Sequence, residues 1–209
     1  SLLSIFNIKK LRSEKLGVVN LALNVLVIAA TLFLGLLALS ELRESYLVPD
    51  EYFNHGVYNL LIRYITFAFI ALLLYCSYLY IQQDFIRKNL RMAFQLILHI
   101  SILWVASSEL IHWLDFSESI ASYKLGLSLL WGVYSMLLIS LGIWKKKKFL
   151  RIGAIALFGI TLVKLFLYDI SQLSTISKTI VFVSLGVMLL IISFLYNKYK
   201  HIIADEPEA

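Results

Sequence analysis

The sequence has little charge, almost no proline and a single cysteine. Asp, Glu, Lys and Arg make up 15% of its 209 residues, against about 25% in ordinary soluble domains. Its two prolines, Pro49 and Pro207, fall outside the apolar runs, so no run contains a residue that lacks an amide hydrogen. Cys76 has no second cysteine to pair with, which excludes an intramolecular disulfide. Lying mid-run, it reads as a small buried hydrophobe. The first apolar run is too long for a secretory signal and no small-residue cleavage site follows it, so a cleavable signal peptide is not expected. The chain starts at Ser1 rather than methionine, and it is expected to be a processed product or a piece of something longer.

What is abundant is apolar surface. Hydrophobic residues reach 60% and aromatic residues 14%, with a mean hydropathy of +0.83. A soluble fold of this length cannot bury so much, because surface scales too steeply with size. A soluble domain, a disordered segment and a disulfide scaffold are thereby excluded. Six continuous apolar runs, at about residues 16–40, 58–81, 92–114, 124–144, 150–168 and 179–196, are long enough to cross roughly 30 Å of hydrocarbon. In lipid only a helix satisfies the backbone of such a run internally. A β-barrel would instead need alternating segments of about ten residues. The fold expected is all-α, a polytopic bundle of six transmembrane helices over residues 16–196. Before it lies a basic cytoplasmic N-terminal segment, 1–15, and after it a cytoplasmic, disordered tail, 197–209.

Orientation follows from Lys and Arg. Lys9, Lys10, Arg12 and Lys15 precede the first span; Arg87, Lys88 and Arg91 occupy the second loop; Lys145, Lys146, Lys147, Lys148 and Arg151 the fourth; Lys198 and Lys200 the tail. The alternate loops hold Arg43, Lys124 and Lys178 beside Glu41, Glu44, Asp50, Glu51, Asp115, Glu118 and Asp169. The positive-inside rule then places both termini in the cytoplasm. The formal charge of +6 is accounted for by these clusters, and nucleic acid is not expected as a partner. The four-lysine run is an orientation signal that also suits anionic headgroups. The fourth loop is short enough to make spans four and five an antiparallel hairpin. The first external loop, 41–57, is long enough for a small cap.

Charges within spans are the informative residues, each costing about 2.5–3.5 kcal/mol at mid-membrane. Arg63, Glu109 and Lys164 qualify, and with the expected orientation all three lie about 6–8 Å below the outer boundary. Lys124, Asp169 and Lys178 mark that boundary on neighbouring helix ends, and His112 lies near Glu109. Three readings compete for this layer. The first is structural, with snorkelling cations and Glu109 paired to one of them. The second is an outward-facing polar pocket for an anionic or lipid-linked ligand, held by Arg63, Lys164 and Lys124 or Lys178, with Glu109 and His112 positioned for proton transfer and Asp169 at its edge. The third is a proton or ion path. On span three, Gln95, His99 and Glu109 fall within an arc of about 80°, a candidate polar relay that equally serves to bind neighbouring helices. Asn20 and Asn24 would extend it only if span one packed against span three. Ser128 and Gly132, four apart on span four, offer a small-residue patch for close helix approach.

No cofactor and no metal are expected. His99 and His112 lie thirteen residues apart on one helix, but the only other histidines, His55 and His201, fall outside the spans. A carboxylate-bridged metal bundle needs carboxylates repeated on other spans, and a hydrolase needs a Gly-flanked nucleophile elbow. Neither pattern is present in this sequence. The balance favours a non-enzymatic protein that binds or moves an anionic or lipid-linked envelope component. The alternatives are a structural or accessory subunit of a larger membrane complex, or a homo-oligomer, and thirdly a membrane-embedded transferase with Glu109 or His112 as base.

One stretch carries a family resemblance. From Tyr123 to Tyr199 the chain shows Leu130-Trp131-x-x-Tyr134, a basic turn with Arg151, Leu162-x-Lys164-x-Phe166-x-x-Asp169, a basic Lys178 ahead of the last span, Leu185-Gly186 and a closing Leu195-Tyr196. This pattern resembles the C-terminal part of the bacterial predicted membrane proteins grouped as domain of unknown function 2339. Upstream, Ser107-Ser108-Glu109-Leu110 and Glu41-Leu42-Arg43-Glu44-Ser45-Tyr46 are similar to Bacteroidota versions. Many relatives carry Arg at the position of Lys178, which keeps the charge. The resemblance implies a longer parent with more spans and an inner-membrane location. It supplies no catalytic residues.

Overall fold

A computed structural model describes residues 2–47, 58–84, 90–115, 120–169 and 175–198. The cap expected within 41–57 falls largely outside the described residues, as do Arg87 and Lys88, most of the tail, and the side chains of Lys124 and Asp169. The apolar runs fold as helices because in hydrocarbon each backbone amide needs a partner within its own segment. The helices are α1 (Leu2–Phe6), α2 (Glu14–Ala30), α3 (Leu36–Leu47), α4 (Tyr58–Ile81), α5 (Arg91–Asp115), α6 (Ile120–Trp144), α7 (Lys148–Lys164) and α8 (Thr175–Lys198). π-helical turns at Asn7–Leu11, Thr31–Gly35 and Leu165–Asp169 extend or join them. Six helices among the described residues are long and apolar enough to cross a membrane. The first, Glu14–Tyr46, has 33 residues, about 50 Å at 1.5 Å per residue. It runs past the 16–40 expected from sequence because Glu41–Tyr46 continues as helix.

The chain divides into two compact units, Ser1–His112 and Trp113–Ala209. In the first, Ile28, Leu32, Leu36 and Leu39 of the opening span form one apolar cluster with Ile70 and Leu74 of α4, and Phe94, Ile97 and Val105 of α5 pack against it. A polar contact reinforces this packing. Asn24 Nδ2 donates to Ser77 Oγ at 3.2 Å, and the Ser77 hydroxyl donates to the Leu73 carbonyl at 2.8 Å. Asn24 is thus engaged by span two.

The basic N-terminal segment turns back on the bundle. After the π-helical turn, Arg12 takes a left-handed conformation (φ 45°) and its amide donates to the Asn7 carbonyl at 2.8 Å. The Asn7 side chain accepts from the Ser13 amide at 3.1 Å and donates to the Ser13 carbonyl and the Tyr80 hydroxyl at 3.0 and 2.9 Å. Tyr80 is fully buried. Its hydroxyl occupies the space that a Cβ at position 17 would need, so Gly17 is what admits the ring.

The second unit is built on small residues. α6 and α7 form the antiparallel hairpin expected of the short fourth loop, joined by Lys145–Lys147, with Lys146 left-handed at φ 52°. The Lys145 and Lys147 amides close the end of α6 on the Leu141 and Gly142 carbonyls, each at 2.8 Å. A Cβ on Gly142 would lie 2.7 Å from the Cγ of buried Arg151, and one on Gly132 would lie 2.8 Å from the Met188 sulfur. Gly142 therefore lets α7 close on α6, and Gly132, with Ser128 one turn away, lets α8 do so. Leu138, Ile139, Leu150 and Ala154 fill the hairpin, while Phe158, Leu165, Leu185 and Met188 form the core shared with α8.

Replacing Gly17 with Ala forces Tyr80 out and undoes the Asn7 contacts. The expected loss is about 1–3 kcal/mol of stability, with Lys9 and Lys10 becoming more readily cleaved by trypsin in detergent-solubilised protein. Unchanged thermal unfolding and cleavage would show that the segment is not docked as described.

Candidate functional site

Arg63 is the sixth residue of α4, inside the span, where an unpaired guanidinium is costly. Its side chain is 2% exposed and meets Glu109 of α5, whose side chain is 26% exposed. Arg63 Nε donates to Glu109 Oε2 at 2.8 Å and Nη2 donates to Ser108 Oγ at 2.8 Å. The other carboxylate oxygen of Glu109 accepts from the Tyr64 hydroxyl at 3.2 Å. One turn along α4, the Phe67 ring lies 5.2 Å from the guanidinium carbon, within cation–π range. Two of the expected site residues are thus brought together as a charge-neutral, hydrogen-bonded pair within the first unit. The pair ties α4 to α5 and fixes their axial register.

His112, one turn beyond Glu109, is buried at 4% exposure. Gln95 and His99, the remaining members of the candidate relay, are half-buried on the same helix. His99 and Glu109 are ten residues apart, about 15 Å along the axis, so direct proton transfer between them is out of reach. Among the described residues no three His, Cys, Asp or Glu side chains gather closely enough to hold a metal ion.

The second unit holds Lys164 and Lys178. Lys164 is the last residue of α7 and its ammonium donates to Ser128 Oγ of α6 at 2.9 Å. Ser128 is buried at 1% exposure and lines a cavity of about 150 Å³ that is apolar apart from Ser128 and Ser184, with Leu129, Leu165, Ile180 and Leu185 among its walls. Lys178 is half-buried on α8, two residues ahead of Ile180 in that wall. Lys124 is placed on α6, two residues before the Gly126 that also lines the cavity. Asp169 closes the π-helical turn that follows Lys164.

Sequence reasoning missed the neutral partners Tyr64, Ser108 and Ser128. Ser108 had a usable signal, since it directly precedes an intramembrane carboxylate. Ser128 stood out only as a small residue, and its role as acceptor depends on which face of α6 meets α7.

The Arg63–Glu109 pair sets up a stability test. Glu109→Ala leaves a buried guanidinium without its counter-ion and is expected to cost about 3 kcal/mol. Replacing both residues, as Arg63→Met with Glu109→Leu, removes both charges and is expected to recover most of that loss. Unfolding of the two variants in detergent checks this. Equal stability of Glu109→Ala and the unsubstituted protein would exclude a structural role for the pair.

Comparison with known proteins adds a family. No curated protein and no solved structure matches the chain. A family model described as "Predicted membrane protein (DUF2339)" matches residues 2–199, which takes in both units and all six apolar helices. A bacterial multi-pass membrane protein by these helices and this match, the chain belongs to the DUF2339 family.

Proposed function

We propose that the chain binds an anionic or lipid-linked envelope component at the outward-facing end of its second unit, with both termini in the cytoplasm. The observation that carries this reading is the seating of Lys164 on Ser128 at an apolar cavity of about 150 Å³. A cation beside an apolar recess suits an amphiphile, whose charged head takes the ammonium while its hydrocarbon fills the cavity. Lys164 is the anchor in this proposal, with Lys178 and Lys124 as further cations of the same unit. Arg63, expected from sequence as a second ligand-holding cation, serves here as a clamp between α4 and α5.

A second reading, an accessory subunit of a larger membrane complex, draws on α5. Only 6% of its most apolar stretch is buried, although Gln95 and His99, both half-buried, lie on that helix. Polar groups on a lightly covered membrane helix favour burial against another helix. In that reading the protein would lose stability on isolation and would retain anionic lipid no better than zwitterionic lipid.

The binding reading is tested by titrating the purified protein with anionic phosphatidylglycerol. Loss of one charge-assisted hydrogen bond, about 1.5–3 kcal/mol, corresponds to about tenfold or more in affinity. Lys164→Met is expected to weaken binding by that factor and Lys164→Arg to preserve it. Equal affinity of Lys164→Met and the unsubstituted protein would contradict the proposal. Orientation is tested separately with reporter fusions after Lys198 and within Lys145–Lys147. Both are expected to report the cytoplasm, and an external report from either would reverse the orientation.

A further inference from the structure

The first unit contains a second recess, unconnected with the Lys164 site in its residues and independent of the function proposed above. It has a volume of about 210 Å³, is neither enclosed nor flat, and lies between α2, α4 and α5 with Val18, Ala22, Ile28, Ser77, Ala93 and Ile97 among its walls. Its one hydroxyl, Ser77, already donates to Leu73 and accepts from Asn24, so the slot presents hydrocarbon. From Val18 to Ile28 it extends ten residues, about 15 Å along the helix. That is half of a hydrocarbon core of roughly 30 Å, the depth of a single leaflet.

The slot starts at the basic end of the unit. Lys15 lies one turn before Val18 on α2, and Arg91 directly follows Leu90, another wall residue. Both side chains are exposed. Tyr80, next to the wall residue Ile81, holds the N-terminal segment at this end through Asn7, and that segment adds Lys9, Lys10 and Arg12. Glu14 and Asp84 are the described carboxylates nearby in sequence. Cations thus outnumber carboxylates where a headgroup would lie, above a leaflet-deep apolar slot.

We infer that this slot is a binding site for one acyl chain of a phospholipid with an anionic headgroup, held at the headgroup by Lys15 and Arg91. Charge complementarity selects the head, and depth matches the tail. The basic N-terminal segment, docked on Tyr80, contributes to the same headgroup site.

Native mass spectrometry of the full chain, carrying Lys164→Met to silence the other site, tests the inference with phosphatidylglycerol and phosphatidylcholine offered separately. The expected result is retention of phosphatidylglycerol at least about tenfold above phosphatidylcholine. Ala22 and Ala93 are exposed wall residues, so Ala22→Phe with Ala93→Phe fills the slot without disturbing the core and is expected to abolish that retention. Lys15→Gln with Arg91→Gln is expected to bring phosphatidylglycerol down to the phosphatidylcholine level. Equal retention of both lipids by the parent protein would overturn the inference. So would undiminished phosphatidylglycerol on the phenylalanine variant or on the glutamine variant.

Discussion

Burying a guanidinium at membrane depth is the constraint on which the first unit depends. Arg63 can sit inside α4 because Glu109, Ser108 and the Phe67 ring meet it there. Insertion alone would cost about 2.5–3.5 kcal/mol for such a residue, so the charge is tolerable only with α5 in one axial position. Apolar contacts among Ile70, Leu74, Ile97 and Val105 are non-directional and would accept a sliding helix. The ion pair would not, because a shift of one residue moves the carboxylate by 1.5 Å and rotates it by about 100°.

The second unit solves its packing differently. Gly132 and Gly142 remove side chains where α8 and α7 approach α6, so van der Waals contact rather than charge sets the register. Lys164 adds a polar bond to this packing, donating from α7 to Ser128 of α6. It lies at the edge of a recess whose walls are apolar except for Ser128 and Ser184. One unit therefore uses an intramembrane cation to hold helices together. In the other, the cation bonds a serine that lines an apolar cavity.

The six helices were legible because hydrocarbon thickness and backbone hydrogen bonding leave a long apolar run no other form. The short fourth loop foretold the α6–α7 hairpin. Arg63 and Glu109 were singled out as members of one layer, and they meet in the structure. Their pairing was not, because residues 46 positions apart in sequence share a face only once α4 and α5 are packed. The same limit hid the bond from Asn7 to Tyr80, separated by 73 positions, and left the N-terminal segment reading as a basic extension. Asn24 looked available to continue a polar path from α5, yet it bonds Ser77 on α4. Helix order, which a single sequence does not encode locally, decided each of these.

A high-resolution structure of the protein in a bilayer containing anionic lipid tests the Arg63 clamp and the Lys164 site together. The expected map has the Arg63 guanidinium closed on Glu109 with no ligand density against it, and headgroup density within hydrogen-bonding distance of Lys164 Nζ. A headgroup on Arg63 with Glu109 turned away would contradict the clamp. A cavity beside Ser128 that is closed and lipid-free would contradict the binding site.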